Sequence, residues 1–109
     1  MSSLTELEGR ASIFAALGDA TRLALVATLV GGSSPSIAQL AQGSRLTRQA
    51  ISKHLRVLEE AGIVASRRVG RESRFQLRPE PLAEAQAYLA RVSEQWGGAL
   101  ERLRSFVEE

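Results

Sequence analysis

The sequence predicts a mainly α-helical domain with one small β-hairpin (an α+β fold), in the order helix, helix, helix, helix, strand, strand, helix. Two observations predict it. Apolar residues recur at spacings of three and four near both ends of the chain, and two short alternating stretches flank Gly70. The length of 109 residues suits one domain, so we expect residues 1–109 to form a single unit.

Composition excludes several classes of function. The chain has no cysteine, which excludes disulfides, thiolate metal sites and a cysteine nucleophile. The N-terminal stretch MSSLTELEGR lacks the apolar run of a signal peptide. The longest aliphatic run, Leu23 to Val30, is far shorter than the roughly 20 residues that a membrane span needs. We therefore expect a cytoplasmic protein with no membrane partner.

Apolar spacing and capping residues predict the first two helices. Residues 4–17 have an amphipathic pattern that ends at Gly18, and Asp19 is a suitable N-cap for the next helix. The loop signal Gly31-Gly32-Ser33-Ser34-Pro35 follows that helix. The apolar positions are Leu4, Leu7, Ala11, Phe14 and Leu17 in the first helix, and Leu23, Val26, Leu29 and Val30 in the second.

A helix-turn-helix is predicted over residues 36–61. Its first helix opens with an S-x-x-Q capping box, formed by Ser36 and Gln39, and ends near Gly43. We expect this short helix to turn Ile37 and Leu40 inward.

The second helix of this unit is predicted from Thr47, its N-cap, to about Ala61. Gly62 follows at the position where a left-handed residue commonly ends a helix. Its apolar side consists of Ile51, Leu55 and Leu58.

The polar face of this second helix has the chemistry of DNA recognition. No acidic residue occurs between Gly43 and Val57, whereas an ordinary solvated face mixes both signs of charge. Arginine can bond guanine in bidentate fashion, and glutamine can do the same with adenine. Residues near the N-terminus of such a helix usually reach the bases, and those further along contact bases or phosphates. The predicted contacts are Thr47, Arg48, Gln49, Ser52, Lys53, His54 and Arg56.

A basic hairpin is predicted over residues 63–78, with strands at 63–69 and 73–77 around Gly70. Beside a recognition helix, such a hairpin acts as a wing, and arginine suits the narrow minor groove. The alternative is an exposed edge that charge protects against aggregation. Together these elements predict a winged helix-turn-helix whose wing contacts DNA through Arg67, Arg68, Arg71 and Arg74.

Charge is concentrated on the same elements. Residues 45–78 contain nine basic and three acidic side chains, a net charge of +6, while the remainder of the chain carries −4. In a chain of net charge +2, this asymmetry indicates a surface for a polyanion.

The last helix is predicted over residues 80–107, after Pro79. Its apolar residues alternate in steps of three and four, the pattern of a heptad seam about 40 Å long. We predict a dimer interface shared with the first helix; the alternative is a helix packed on its own domain. Gly97-Gly98 interrupts the seam and allows a kink or a close helix approach. The seam consists of Leu82, Ala85, Leu89, Val92, Trp96, Ala99, Leu103 and Phe106.

The segment AISKHLRVLEEAGIV, together with FAALGDATRLALVATLV and the hairpin RRVGRESRFQL, resembles the ArsR (arsenic-repressor) family of winged-helix regulators. The resemblance covers nearly the whole chain. It implies a homodimer built on helices 4–17 and 80–107, binding to an imperfect palindrome in double-stranded DNA, and repression relieved by a signal. The predicted dimer contacts are Leu4, Leu7, Phe14, Leu82, Leu89, Val92, Trp96, Leu103 and Phe106.

The sequence departs from the metal-sensing members of that family. It has no cysteine in the helix before the recognition helix and no histidine in the last helix. His54 alone cannot found a zinc site, which takes three or four protein ligands, so we expect packing or a phosphate contact for it. We predict no metal and no cofactor; the inducer, a small molecule or a protein, is left open.

Two other classes of function compete with DNA binding. An enzyme needs a nucleophile beside a base, and Ser52 and His54 diverge because they lie two positions apart on a helix. We therefore predict that the protein is not an enzyme. A winged helix used only for protein–protein contact is the stronger alternative, although such a module has little reason to keep its outer helix free of acids.

Overall fold

The computed structural model describes residues 3–108, and its elements follow the predicted order. The mainly α-helical winged-helix fold is thus confirmed, while the predicted ends at residues 1 and 109 lie outside the described residues. The elements are α1 (Leu4–Leu17), α2 (Ala20–Leu29), α3 (Ile37–Ala41), α4 (Arg48–Glu60), β1 (Val64–Val69), β2 (Glu72–Leu77) and α5 (Pro79–Glu108).

The core lies behind helix α4. This helix buries Ile51, Leu55 and Leu58, the three residues of its predicted apolar side. Strand β2 contributes Phe75 to the same cluster, and Ile63 joins it from the turn before β1. A strongly one-sided α4 therefore keeps its whole opposite face outside the core.

The buried faces of α1 and α2 follow the predicted apolar positions only in part. On α2, Val26 and Leu29 are buried with Leu25, whereas Leu23 and Val30 are exposed. In α1 the buried residues are Ile13 and Ala16. Both helices carry apolar side chains on more than one face, so the elements packed against them decide which face is buried.

The predicted caps are present. The Asp19 and Thr47 side chains accept hydrogen bonds from backbone N–H groups in the first turns of α2 and α4. At α3, Ser36 and Gln39 form both bonds of the capping box. Helix α4 ends in a Schellman motif, in which Gly62 adopts a φ of 77° and the N–H of Ile63 donates to the carbonyl of Leu58.

The hairpin is antiparallel, with Val69 opposite Glu72 and Arg67 opposite Arg74. Gly70, with a φ of 65°, is the first residue of the two-residue loop, where a type II′ turn places glycine. At its base the N–H of Arg78 donates to the carbonyl of Ile63 at 2.7 Å. Both strands differ from their predicted starts by one residue.

Helix α5 extends away from the body of the molecule. At about 45 Å it is longer than the core it packs on. The Cα radius of gyration is 18.0 Å, against about 13 Å for a compact chain of this length. Only Ala85 of this helix is buried.

Within residues 3–108, no single helix has both the length and the apolar character that a membrane span needs. Helices α1 and α2 satisfy such a test only as a pair, and they meet at a 92° bend.

Candidate nucleic-acid interface

The outer face of α4 forms a continuous polar ridge. Because Ile51, Leu55 and Leu58 point into the core, the residues three and four positions apart on the other side face outward together. No acidic residue lies in the first turn, so the positive end of the helix dipole adds to the side-chain charge. Arg48, Gln49, Lys53 and Arg56 are exposed, and Ser52 is half-buried beside them.

Thr47 lies on this surface and is also the N-cap of α4. Its Oγ1 accepts the N–H of Ala50 at 3.1 Å, which fixes the first turn of α4. The hydroxyl proton is left to donate outward.

Three of the four predicted wing arginines are exposed. Arg67 and Arg68 lie on β1, and Arg71 is in the turn beside Gly70. They project from a hairpin whose inner end is fixed to the core by Phe75.

Arg74, the fourth, is held against the body of the protein. Its Nη1 donates to the carbonyl of Ser34 at 3.3 Å, and its Nη2 lies 3.1 Å from Glu72 Oε2. The backbone of Arg74 also forms an isolated antiparallel β-bridge with that of Ser36. Its guanidinium thus fastens the wing to the segment before α3, and a DNA contact by Arg74 stays a prediction.

His54 is also turned toward the protein. Its Nδ1 lies 3.2 Å from Arg22 Nη1 and 3.8 Å from Asp19 Oδ2, and its side chain is about three quarters covered. The contact with Arg22 is the hydrogen bond, because 3.8 Å from Nδ1 to Asp19 Oδ2 is too long for one. Among the predicted DNA contacts on α4, His54 is thus the residue whose side chain bonds to another helix of the protein.

The capping carboxylate of Asp19 is stabilised in its ionised form. The N–H of Arg22, its capped donor, has the largest effect in lowering the pKa of Asp19 below its ordinary value. Burial opposes this effect as the second-largest influence, and the positive charge of Arg22 lowers the pKa of Asp19 further.

The predicted dimer residues fall into two groups. Phe14 and Leu82 are half-buried against the chain's own core, and the Phe14 ring packs on that of Tyr88. The remainder of the set faces away from the core. Exposed fractions are 71 % for Leu4, 52 % for Leu89, 65 % for Trp96, 58 % for Leu103 and 76 % for Phe106, while Leu7 is less exposed and Val92 is half-buried.

Leu89, Val92 and Trp96 line an open apolar groove of about 580 Å³ on α5, together with Ser93, Gly97 and Leu100. Helix α5 continues without a break through Gly97 and Gly98. Apart from its chain neighbours and the backbone of its own helical turns, no described atom lies within 4 Å of where a Cβ at Gly97 would stand, so the space beside it is open.

Sequence reasoning missed two residues that position or border this surface. Arg22 joins α4 to the first two helices, and only the tertiary structure brings it to His54. Gln42, exposed after α3, lines a groove of about 400 Å³ with Arg48. A polar side chain after the first helix of a helix-turn-helix was the available signal for Gln42. In the described part of the chain, no three His, Asp or Glu side chains converge in a way that could hold a metal ion.

An exposed basic helix face beside a basic hairpin, on this order of elements, defines a winged helix-turn-helix DNA-binding protein. A family described as a helix-turn-helix domain matches residues 17–67. A solved ArsR-like transcriptional regulator from Rhodococcus sp. RHA1 is 34 % identical, with a TM-score of 0.81 over 98 % of this chain and 97 % of that one. The chain belongs to the ArsR family of transcriptional regulators.

One further relative supports this assignment, and another solved structure shares the fold. The HTH-type transcriptional regulator Rv2034 from Mycobacterium tuberculosis is 38 % identical over 85 residues, which cover 78 % of this chain and 76 % of that protein. The winged helix-turn-helix DNA-binding domain of Mb0332 from Mycobacterium bovis, described as homodimeric, has the same fold. It is 22 % identical, with a TM-score of 0.67 over 84 % of this chain and 83 % of that fragment.

Proposed function

We propose that this DNA-binding regulator is a homodimeric repressor that binds an imperfect palindrome. In this arrangement the two copies of α4 enter successive major grooves, and the two wings contact the flanking DNA. The observation that carries the proposal is the exposed face of α4, which has no acidic side chain from Gly43 to Val57 and stands beside the wing arginines. A module built only for protein contact has no need of that charge asymmetry.

The exposed residues of α4 and the wing fall into two groups, those that read base edges and those that contact the DNA backbone or minor groove. Arg48, Gln49 and Ser52 lie in the first turns of α4, which is the part of a recognition helix that reaches base edges. Lys53 and Arg56 contact bases or phosphates, and Thr47 donates its hydroxyl proton to a phosphate. Arg67, Arg68 and Arg71 neutralise the backbone or enter the minor groove.

In the proposed dimer, a second copy of the chain covers the exposed apolar face of α5. Leu89, Trp96, Leu103 and Phe106 are each more than half exposed, and a contiguous apolar patch of this kind marks an interaction site. The absence of a side chain at Gly97 lets a partner helix approach closely. The homodimer described for Mb0332 supports the same assembly on this fold. Leu4 and Leu7 of α1 extend the interface.

Repression follows from occupancy. A dimer bound across a promoter excludes polymerase from the same DNA, and a signal that weakens the dimer or tilts α4 relieves this exclusion. The proposed inducer is a small molecule or a protein. The protein has no catalytic role in this scheme.

The decisive experiment measures binding to a duplex selected from random sequences, at several salt concentrations. With six to eight basic contacts per dimer, the logarithm of the affinity is expected to fall against the logarithm of salt with a slope of about −5 to −7. Footprinting on the DNA upstream of its own gene then locates the operator. A slope near zero, or no binding at low ionic strength, would leave the protein-contact module as the correct function.

A further inference from the structure

Arg22 connects three helices through a single guanidinium group. Its Nε donates to the carbonyl of Ala16 at 2.6 Å, and its Nη2 donates to that of Ala15 at 3.4 Å. Both carbonyls lie in the last turn of α1, and Arg22 gives that of Ala15 a second donor beside the N–H of Gly18. The third nitrogen, Nη1, reaches Nδ1 of His54 on α4 at 3.2 Å.

The contact with Arg22 sets the hydrogen-bonding role of Nδ1 of His54. An arginine guanidinium has only donors and stays protonated in proteins, so Nδ1 of His54 accepts this hydrogen bond. The nearby Asp19 carboxylate keeps Arg22 in place by capping α2 through the N–H of the same residue.

We propose that Arg22 is a positioning residue for DNA recognition: it sets the orientation of α4 relative to α1 through His54. The proposal rests on the proposed function, in which α4 reads DNA and α1 belongs to the dimer. A change of the α1–α4 angle in each protomer changes how the two recognition helices face one duplex. The contact thus joins the dimer helix to the DNA-reading helix by hydrogen bonds at both ends.

This role predicts a particular kind of defect. Bidentate contacts to base edges need a precise helix orientation, whereas phosphate contacts tolerate small rotations. Loss of the Arg22–His54 bond is therefore expected to lower binding to the selected duplex and to leave binding to random DNA nearly unchanged.

Two substitutions of His54 separate positioning from direct DNA contact. In His54→Asn the side-chain oxygen takes the place of Nδ1 and can still accept from Arg22. In His54→Gln the amide reaches instead to the place of Nε2. We expect the ratio of affinities for the selected and random duplexes to be about tenfold higher in His54→Asn than in His54→Gln. A His54→Gln ratio equal to or above that of His54→Asn would overturn the proposal.

Arg22→Lys provides the second test, because a lysine keeps the charge but carries all its donors on one nitrogen. That single nitrogen cannot replace the three guanidinium nitrogens that reach α1 and α4 together. The specificity ratio of this variant is expected to fall about tenfold, while the matched variant Arg102→Lys, on the exposed end of α5, keeps the wild-type ratio. Circular dichroism checks that each variant is folded. An unchanged ratio in folded Arg22→Lys would contradict the proposal.

Nitrogen-15 NMR of the imidazole ring supplies a readout that needs no variant. In the wild-type protein, Nδ1 is expected to show the chemical shift of a nitrogen that accepts a hydrogen bond and carries no proton. A proton on Nδ1 would overturn the proposal. A failure of the proposed function is distinguishable from a failure of this proposal. In that case the wild-type protein itself selects no duplex, before any variant is compared.

Discussion

The N–H of Phe75 donates a hydrogen bond to the carbonyl of Pro35 at 3.0 Å, so strand β2 is joined to the segment that leads into helix α3. Arg74 reinforces this junction from the adjacent position through the carbonyl of Ser34. The wing is therefore an extension of the helix-turn-helix, held at a defined angle by contacts at its base.

Arg74 and Arg71 are expected to behave differently when each is replaced by alanine. Arg74→Ala removes the link to Ser34 and is expected to lower the free energy of unfolding by about 1 kcal/mol. Arg71→Ala is expected to leave stability unchanged and to reduce the salt slope of DNA binding by about 1 per protomer. Urea denaturation and salt titration measure the two effects. A salt-slope change in Arg74→Ala equal to that in Arg71→Ala, with no loss of stability, would show that Arg74 contacts DNA.

Arg48 and Gln49 are expected to carry sequence specificity. Replacing either with alanine should cost about 1–3 kcal/mol on the selected duplex and little on random DNA, because bidentate base contacts are lost. Parallel titrations of the two duplexes measure the difference, with Arg102→Ala as the control for loss of one positive charge. Equal losses on both duplexes would reassign these residues to phosphate contacts.

The α5 seam is tested by placing a charge within it. Trp96→Glu or Leu89→Glu is expected to split the dimer, or to unfold it where folding and association are coupled. Gln95→Glu, which adds the same charge at an adjacent exposed position outside the seam, is the matched control. Sedimentation and operator binding are the measurements. A folded dimer of Trp96→Glu with normal operator affinity would place the interface elsewhere.

The lowered pKa of Asp19 predicts that this residue contributes to stability in a pH-dependent way. Because its pKa is lowered in the folded protein, the ionised carboxylate favours the folded state near neutral pH, and this contribution is lost as pH falls through the folded-state pKa. Asp19→Asn keeps a capping oxygen but removes the charge. We expect the variant to be less stable than wild type at pH 7, with a difference that shrinks below about pH 4.

Denaturation at several pH values and constant protein concentration measures this difference, with Glu94→Gln on α5 as the control for net charge. A difference between Asp19→Asn and wild type that grows toward acid pH would have the wrong sign for this mechanism.

Local signals in the sequence were sufficient for most of the fold. The capping box of Ser36 and Gln39, the cap at Thr47 and the turn at Gly70 each depend on neighbours within a few residues. The same holds for α4, whose one-sided apolar pattern determines which residues remain outside. The prediction of its exposed ridge needed no knowledge of the other helices.

Sequence by itself determined the order of elements, their caps and the charged residues that α4 and the wing offer, because all of these follow from periodicity and short-range hydrogen bonds. Only the tertiary structure decided which faces of α1 and α2 are buried, and that Arg74 and His54 turn toward the protein. Those outcomes depend on contacts between residues far apart in the chain, such as Arg22 with His54, and no local pattern specifies them.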